Sequence, residues 1–263
     1  MRNTYRSEDN HAYWTKRWDS IPADIASVEL DRYPTKYAIR TIGESRGKIL
    51  EAGCGAGRVL RFFHDKGYDI HGFDFVETAV AKLKSVDDSL NVSVGDIRNL
   101  NYSDHEFDFV LAFGLYHNLS EDLGQAIQET VRVLKKDGRL CASFRADNLQ
   151  TRISDLLADY RSNKVSCSTR SKVFHKMNLT KNELVAIFSE NGIDVETVEP
   201  VVNMPIFYKF RIFRSETQKN FNEHSGRVHG YQLSKVGRLI QKLCMVLAPN
   251  QFCNIYLLTG KPL

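Results

Sequence analysis

The chain has 263 residues, 42% hydrophobic and 26% charged, with a formal net charge of +4 and a pI near 8.7. That length suits one α/β domain with an insertion better than two separate domains. The mild basic excess is spread along the chain rather than gathered in a stripe, which argues against a dedicated nucleic-acid binder. Five cysteines with no Cys-x-x-Cys spacing argue against a disulfide framework or a structural zinc site. The polar start, Met1 to Asn10, has no signal-peptide core, and no window is apolar enough to span a membrane, so the expected location is cytoplasmic.

Residues 1–46 form a polar, aromatic-rich lead-in. Tyr13, Trp14 and Trp18 stand at helical spacing and predict an amphipathic helix with its aromatics against the fold. Residues 48–53 are a short apolar strand ending in Gly53-Cys54-Gly55-Ala56-Gly57, and a helix is expected over 57–66. Glycines in such a turn permit positive φ and let a ligand lie against the main chain. Glu51 sits at the strand end, suited to a positively charged or hydroxyl-rich group. The second strand ends in Asp74, beyond the carboxyl end of a strand in a doubly wound sheet, where an acid can accept from both hydroxyls of a ribose. A cap for the helix over 77–84 is the structural alternative for Asp74. The third strand, Leu90 to Val94, leads to Asp96-Ile97, and the fourth, Phe107 to Phe113, is apolar enough for burial on both faces. A helix over 125–134 and a Lys135-Lys136-Asp137-Gly138 turn precede the fifth strand, Arg139 to Phe144.

A glutamate two residues before Gly-x-Gly-x-Gly, an acid ending the next strand, Asp96 after the third and a Lys-x-Asp-Gly turn before the fifth together resemble class I S-adenosylmethionine (SAM)-dependent methyltransferases over residues 48–144. The resemblance implies a seven-stranded, mostly parallel sheet with its last strand antiparallel. It also implies SAM as cofactor, with S-adenosylhomocysteine (SAH) as product. By this likeness Glu51, Gly53, Gly55, Gly57, Asp74, Phe75, Asp96, Ile97 and Phe113 are the expected cofactor residues, with Asp96 and Ile97 framing adenine. The lead-in helix is expected to lie over the cofactor as a lid. Tyr116 and His117, just past the fourth strand, stand where a general base or amine contact belongs. The structural reading of His117 is a cap or loop tether. Tyr13, Trp14, Arg145, His175 and Tyr208 are the candidate acceptor contacts.

The second half is less regular. A helix is expected over 147–161, a polar loop over 162–172 and a helix over 181–189 opened by Thr180 and Glu183 at capping-box spacing. A sixth strand follows over 193–200. Cys253 to Gly260 suits the last strand, inserted between the fifth and sixth. Residues 201–252 are then an insertion, expected to cap the acceptor pocket. It carries an aromatic run around Tyr208, a polar stretch with His224 and His229, and a basic helix whose apolar stripe runs from Leu233 to Leu247. Core packing is the expectation for that stripe, and a membrane surface is the other reading. The expected division is therefore 1–46 lid, 47–200 cofactor core, 201–252 cap and 253–263 last strand and terminus.

No Pro-Pro run follows the fourth strand and no cysteine follows a proline, so the amino- and C5-methyltransferase patterns for nucleic acid are absent. Asp147-Asn148 offers half of the oxygen cage of the metal-dependent catechol-type enzymes, and Gly114 or His117 fills its first position poorly. The expected function is metal-independent methyl transfer to a hydroxyl or amine of a small-molecule acceptor, such as a sugar or another biosynthetic intermediate. A lipid or quinone acceptor at a membrane surface is the nearer alternative. A nicotinamide oxidoreductase shares the glycine turn and Asp74 but leaves Asp96 and the glycine spacing unexplained. A non-catalytic SAM-binding protein keeps the pocket without turnover.

Overall fold

The structure, a computed structural model, describes residues 1–23, 30–165, 172–220, 226 and 229–263, with side chains of the helix ending at 165 described up to 158. The side chain of Tyr160, most of the expected 162–172 loop and His224 lie outside the described residues.

The first half runs β1 (Arg2–Arg6), α1 (Asn10–Ser20), α2 (Thr35–Ile42), β2 (Ile49–Ala52), α3 (Arg58–His64), β3 (Ile70–Asp74), α4 (Glu77–Val86), β4 (Asn91–Val94) and β5 (Phe107–Phe113). It continues through α5 (Leu123–Val133), β6 (Leu134–Arg145), α6 (Leu149–Val165), β7 (Val173–Asn178), α7 (Lys181–Glu190) and β8 (Ile193–Val201). After several short 3₁₀ turns come α8 (Lys235–Leu247), α9 (Pro249–Phe252) and β9 (Ile255–Pro262).

Seven strands form one sheet in the order β4-β3-β2-β5-β6-β9-β8. The pairs from β4 to β6 are parallel, and β9 lies antiparallel to both β6 and β8. This is the expected doubly wound topology. Its period-2 alternation divides the apolar residues between two faces. On one face Leu50, Phe107, Val110 and Ala112 pack with Ile127 of α5 and Phe188 of α7. On the other, Ile49, Phe109 and Leu111 pack with Ala38 of α2, Leu60 of α3 and Leu83 of α4. Each fully buried large side chain contributes roughly 1.5–3 kcal/mol of transfer free energy, so the helices are fixed on both faces and the strand tips are held in register. Thr180 and Glu183 form a reciprocal capping box at α7.

Three features differ from expectation. The lead-in begins as a strand, and β1 pairs antiparallel with β7 in a second, two-stranded sheet. β1 is polar with only half-buried alternation, and β7 mixes apolar and polar residues without alternating, so neither stands out in the sequence. The fifth strand of the main sheet begins at Leu134, with Lys135 to Gly138 looped out between the Phe107–Leu134 and Phe109–Arg139 pairs. The apolar stripe of α8 is not core. Val236, Leu239, Leu243, Val246 and Leu247 are 52–81% exposed, while Gly237 and Gln241 face inward. A Cβ at Gly237 would lie 2.7 Å from the Phe213 carbonyl oxygen, so this close approach turns the small-residue face to the protein.

Candidate active site

The carboxyl ends of β2, β3, β4 and β5 open into one cavity of about 1290 Å³, where the ligand of a doubly wound sheet belongs. The glycine turn forms its floor. Gly55 has φ +53°, and a Cβ there would lie 2.5 Å from the Trp18 ring. Gly57 has φ +71° at the start of α3, and a Cβ there would collide with Leu83. Both positions therefore need glycine for backbone and for space.

Three acids line this cavity from successive strand tips. Glu51 is 5% exposed, and its Oε2 accepts from the Leu60 N–H at 2.7 Å. Burial pushes its pKa up to about 8 against the opposing Leu60 hydrogen bond and Arg58, with Asp74 adding to the rise. Asp74 is 3% exposed and accepts from the Gly55 N–H at 2.8 Å and the Val76 N–H at 3.0 Å. Its carboxylate thus latches the glycine turn to the end of β3, and burial raises its pKa despite those bonds. Val76, not Asp74, precedes the first residue of α4, and α4 has no side-chain cap. Asp96 is more open and forms a fork with Arg98, at 2.6 Å from Nη2 and 3.0 Å from Nε, which keeps it ionised.

The apolar walls come from Phe75, Ile97 and Phe113. Phe113 meets Tyr33 edge-on at 5.7 Å, and the Tyr33 hydroxyl is 2.8 Å from Ser143 Oγ. Overhead lies α1, capped by Asp9, whose carboxylate accepts from the Ala12 N–H at 2.9 Å. Trp14 and Trp18 stack at 5.3 Å along the cavity, and Lys82 ties the end of α1 down by donating to the Trp18 carbonyl at 3.0 Å.

The candidate acceptor residues divide. Trp14, His117 and Arg145 line the cavity, and Tyr13 and His175 do not. Tyr13 is held by Arg6 over its ring at 3.6 Å and by Arg17 Nη1 donating to its hydroxyl at 2.9 Å, with His175 edge-on at 5.8 Å. Tyr116 is a correction: it is fully buried, its hydroxyl is 2.7 Å from Thr130 Oγ1, and burial pushes its pKa far up. The 3₁₀ turn over Tyr116–Asn118 sends that ring into the core and leaves His117 at the cavity. Tyr208 is the second correction. It is fully buried against Tyr231, ring centroids 5.0 Å apart, and does not reach the cavity.

His117 sits edge-on to Phe144 at 5.8 Å. Burial, then Lys176 and Arg145, hold its pKa well below the usual imidazole value, so the ring is neutral near pH 7. Its Nδ1 is buried with no hydrogen-bond partner among the described residues, so it lacks the third group that orients a strong base. Lys176, Gln150 and Ser154 also line the cavity and were not expected there. The signal for Lys176 was strand alternation: in β7 it points opposite to His175. Gln150 and Ser154 lie four apart on α6, one helical face.

Residues 50–142 match the model of the methyltransferase domain family. By that match this segment is a methyltransferase domain. It is 28% identical over 112 residues to a malonyl-[acyl-carrier protein] O-methyltransferase of Pseudescherichia vulneris, a match covering 42% of this chain and 44% of that one. The chain thus spans less than half the length of this curated relative. Among solved structures it resembles a SAM-dependent methyltransferase of Archaeoglobus fulgidus, with TM-score 0.58, 18% identity, and 96% and 100% of the two chains covered. A TehB-like methyltransferase of Corynebacterium glutamicum superposes with TM-score 0.53 at 17% identity, covering 96% and 98%. At these identities the structural likeness is one of fold. The matched segment coincides with the strands and turns that carry Glu51, Asp74 and Asp96.

Proposed function

We propose that this class I methyltransferase transfers a methyl group from SAM to a hydroxyl or amine of a small-molecule acceptor, without a metal. The observation that carries the reading is the trio of acids on three successive strand tips facing one cavity under a tryptophan lid. The residues fit the cofactor: buried Glu51, which gives up its proton beside a cationic amino group, suits that group, latched Asp74 the ribose, and Asp96 with Ile97 the adenine. SAM supplies the electrophilic methyl group, so the protein chiefly orients the acceptor and excludes water. His117, neutral and at the cavity wall, is placed to take a proton from a hydroxyl acceptor, and its low basicity makes it a modest base.

Metal independence is supported by the sequestration of the half-cage residues. Asp147 is bonded by Arg2 at 2.7 Å and Arg152 at 2.9 Å, and Asn148 Oδ1 accepts from the Thr151 N–H at 3.0 Å. In this reading residues 1–46 act as the lid, 47–200 as the cofactor core, 201–252 as the cap and 253–263 as the closing strand. The test is incubation of the purified protein with SAM and an acceptor library, read by SAH formation and a one-methyl mass gain. SAM binding without turnover on any acceptor would leave a binding protein instead.

One observation favours a lipid or quinone acceptor as the second reading. The exposed apolar ridge of α8 is flanked by exposed Lys235, Arg238 and Lys242, and Arg238 and Lys242 also line the cavity. A basic amphipathic helix of this kind suits an anionic membrane surface. No described helix is long and apolar enough to cross a membrane. Co-sedimentation with anionic vesicles supports this reading, and failure to co-sediment removes it.

A further inference from the structure

Apart from the three acids at the strand tips, the cavity has a wall lined by cations. Its wall from β6, α6 and β7 carries Arg145 and Lys176, and among the described residues no carboxylate of those elements lines the cavity. Lys176 is half-buried by surface area because it opens onto the cavity, and protein packs around the rest of it. Its ammonium has no hydrogen-bond or ion-pair partner among the described residues. Of the charged groups acting most strongly on it, Arg145, Arg17 and Arg6 are cations and Asp155 is a carboxylate. Asp155 is already engaged by Arg2 at 2.9 Å and Arg145 at 2.5 Å. The nearby histidines offer no compensation: His117 and His175 each leave Nδ1 buried without a partner.

A buried cation without a counter-charge is costly, and it relieves that cost by losing its proton or by binding an anion. Burial and the arginines push Lys176 down to about 7, so the ammonium is only partly charged near neutral pH. The same surroundings push His175 down to about 2. Arg145 uses Nε and Nη2 on Asn178 and Asp155. Such a fixed guanidinium beside an adjustable amine suits an oxyanion, which accepts from both.

We propose that Lys176 and Arg145 form an oxyanion subsite that binds a carboxylate or phosphate of the methyl acceptor, with His117 at its edge. Reading the anion as part of the acceptor rests on the methyltransferase function; the subsite itself does not. Binding an oxyanion draws a proton onto Lys176, so the event takes up protons at pH 7.5.

The experiment is calorimetric titration with benzoate, malonate and inorganic phosphate at constant ionic strength, with and without SAH. Two buffers of different ionisation enthalpy measure the proton change, and benzamide serves as the neutral control. The expected result is binding of at least one anion, with proton uptake, and none of benzamide. Lys176→Met should weaken it about tenfold or more, the range for a lost charge-assisted hydrogen bond, and abolish the uptake. Lys176→Arg should keep the binding without proton uptake, because arginine stays charged. Preference for phosphate over the carboxylates, or the reverse, assigns the anion. Binding of no anion, or equal binding by Lys176→Met, overturns the subsite. Failure of SAH alone to bind would count against the cofactor reading, while the titration without SAH still tests Lys176.

Discussion

Asp74 carries two loads in one carboxylate. It holds the Gly55 and Val76 N–H groups and stands at the expected ribose position. Asp74→Ala should therefore lower folding stability by about 1–3 kcal/mol, through two buried donors left unpaired, as well as weaken SAM binding. Asp96→Ala removes an open ion pair with Arg98 and should shift stability by less than about 0.5 kcal/mol while still weakening SAM. Denaturant melts and cofactor titrations of both variants check this, and equal stability losses would contradict it. Glu51 has the opposite profile. Its folded pKa of about 8 lies above the ordinary 4.5, so between those values the folded state binds more protons than the unfolded state and stability falls as pH rises. Glu51→Gln removes that fall. Its stability relative to the parent should grow from pH 4.5 and level off near pH 8, measured by melts across that range. Lys176 runs the other way. Between about 7 and its ordinary 10.5 the unfolded chain holds the extra proton. Lys176→Met should therefore stabilise most at pH 7 and below, and the gain should vanish toward pH 10.5. These acids were legible as residues because their chemistry sits at fixed places after strands. Tyr116 and Tyr208 were not, because one residue of phase in a 3₁₀ turn decides whether a ring enters the core or the cavity.

The elements that follow hydrophobic period were legible, and those that do not were missed. The central strands and α5 declare themselves by buried runs and three- and four-residue steps. β1 and β7 lack a clear hydrophobic period, and their pairing depends on contacts between residues about 170 apart, such as Arg2 with Asn178. This pairing places Lys176 at the cavity, so the least legible sheet carries the least expected residue. The helix α8 misleads for a different reason. Amphipathicity specifies two faces, not which one meets the protein, and the close approach at Gly237 turns the apolar face outward. Leu239→Ser with Leu243→Ser should accordingly cost under about 1 kcal/mol in total, as surface substitutions do. A core stripe would lose several times that on melting, and such a loss would contradict the exposed placement.

Across the whole molecule, the sheet order brings residues from distant parts of the chain to one cavity. Its floor is the glycine turn, its lid is α1, its cationic wall comes from β6 and β7, and α8 stands at its rim. The topology was readable because alternating strands and helices admit few right-handed arrangements. The rest of the cavity was not, because its wall is assembled from α6, β7 and the 201–252 segment, which share no local pattern. The central claim, that the trio of acids builds a SAM pocket, is tested most directly by calorimetric titration with SAH at pH 7 in two buffers. A cationic amino group beside Glu51 favours its carboxylate. The account predicts micromolar binding with release of a proton, and Glu51→Gln should bind more weakly and release none. Absence of SAH binding, or binding of a nicotinamide dinucleotide in its place, would contradict it.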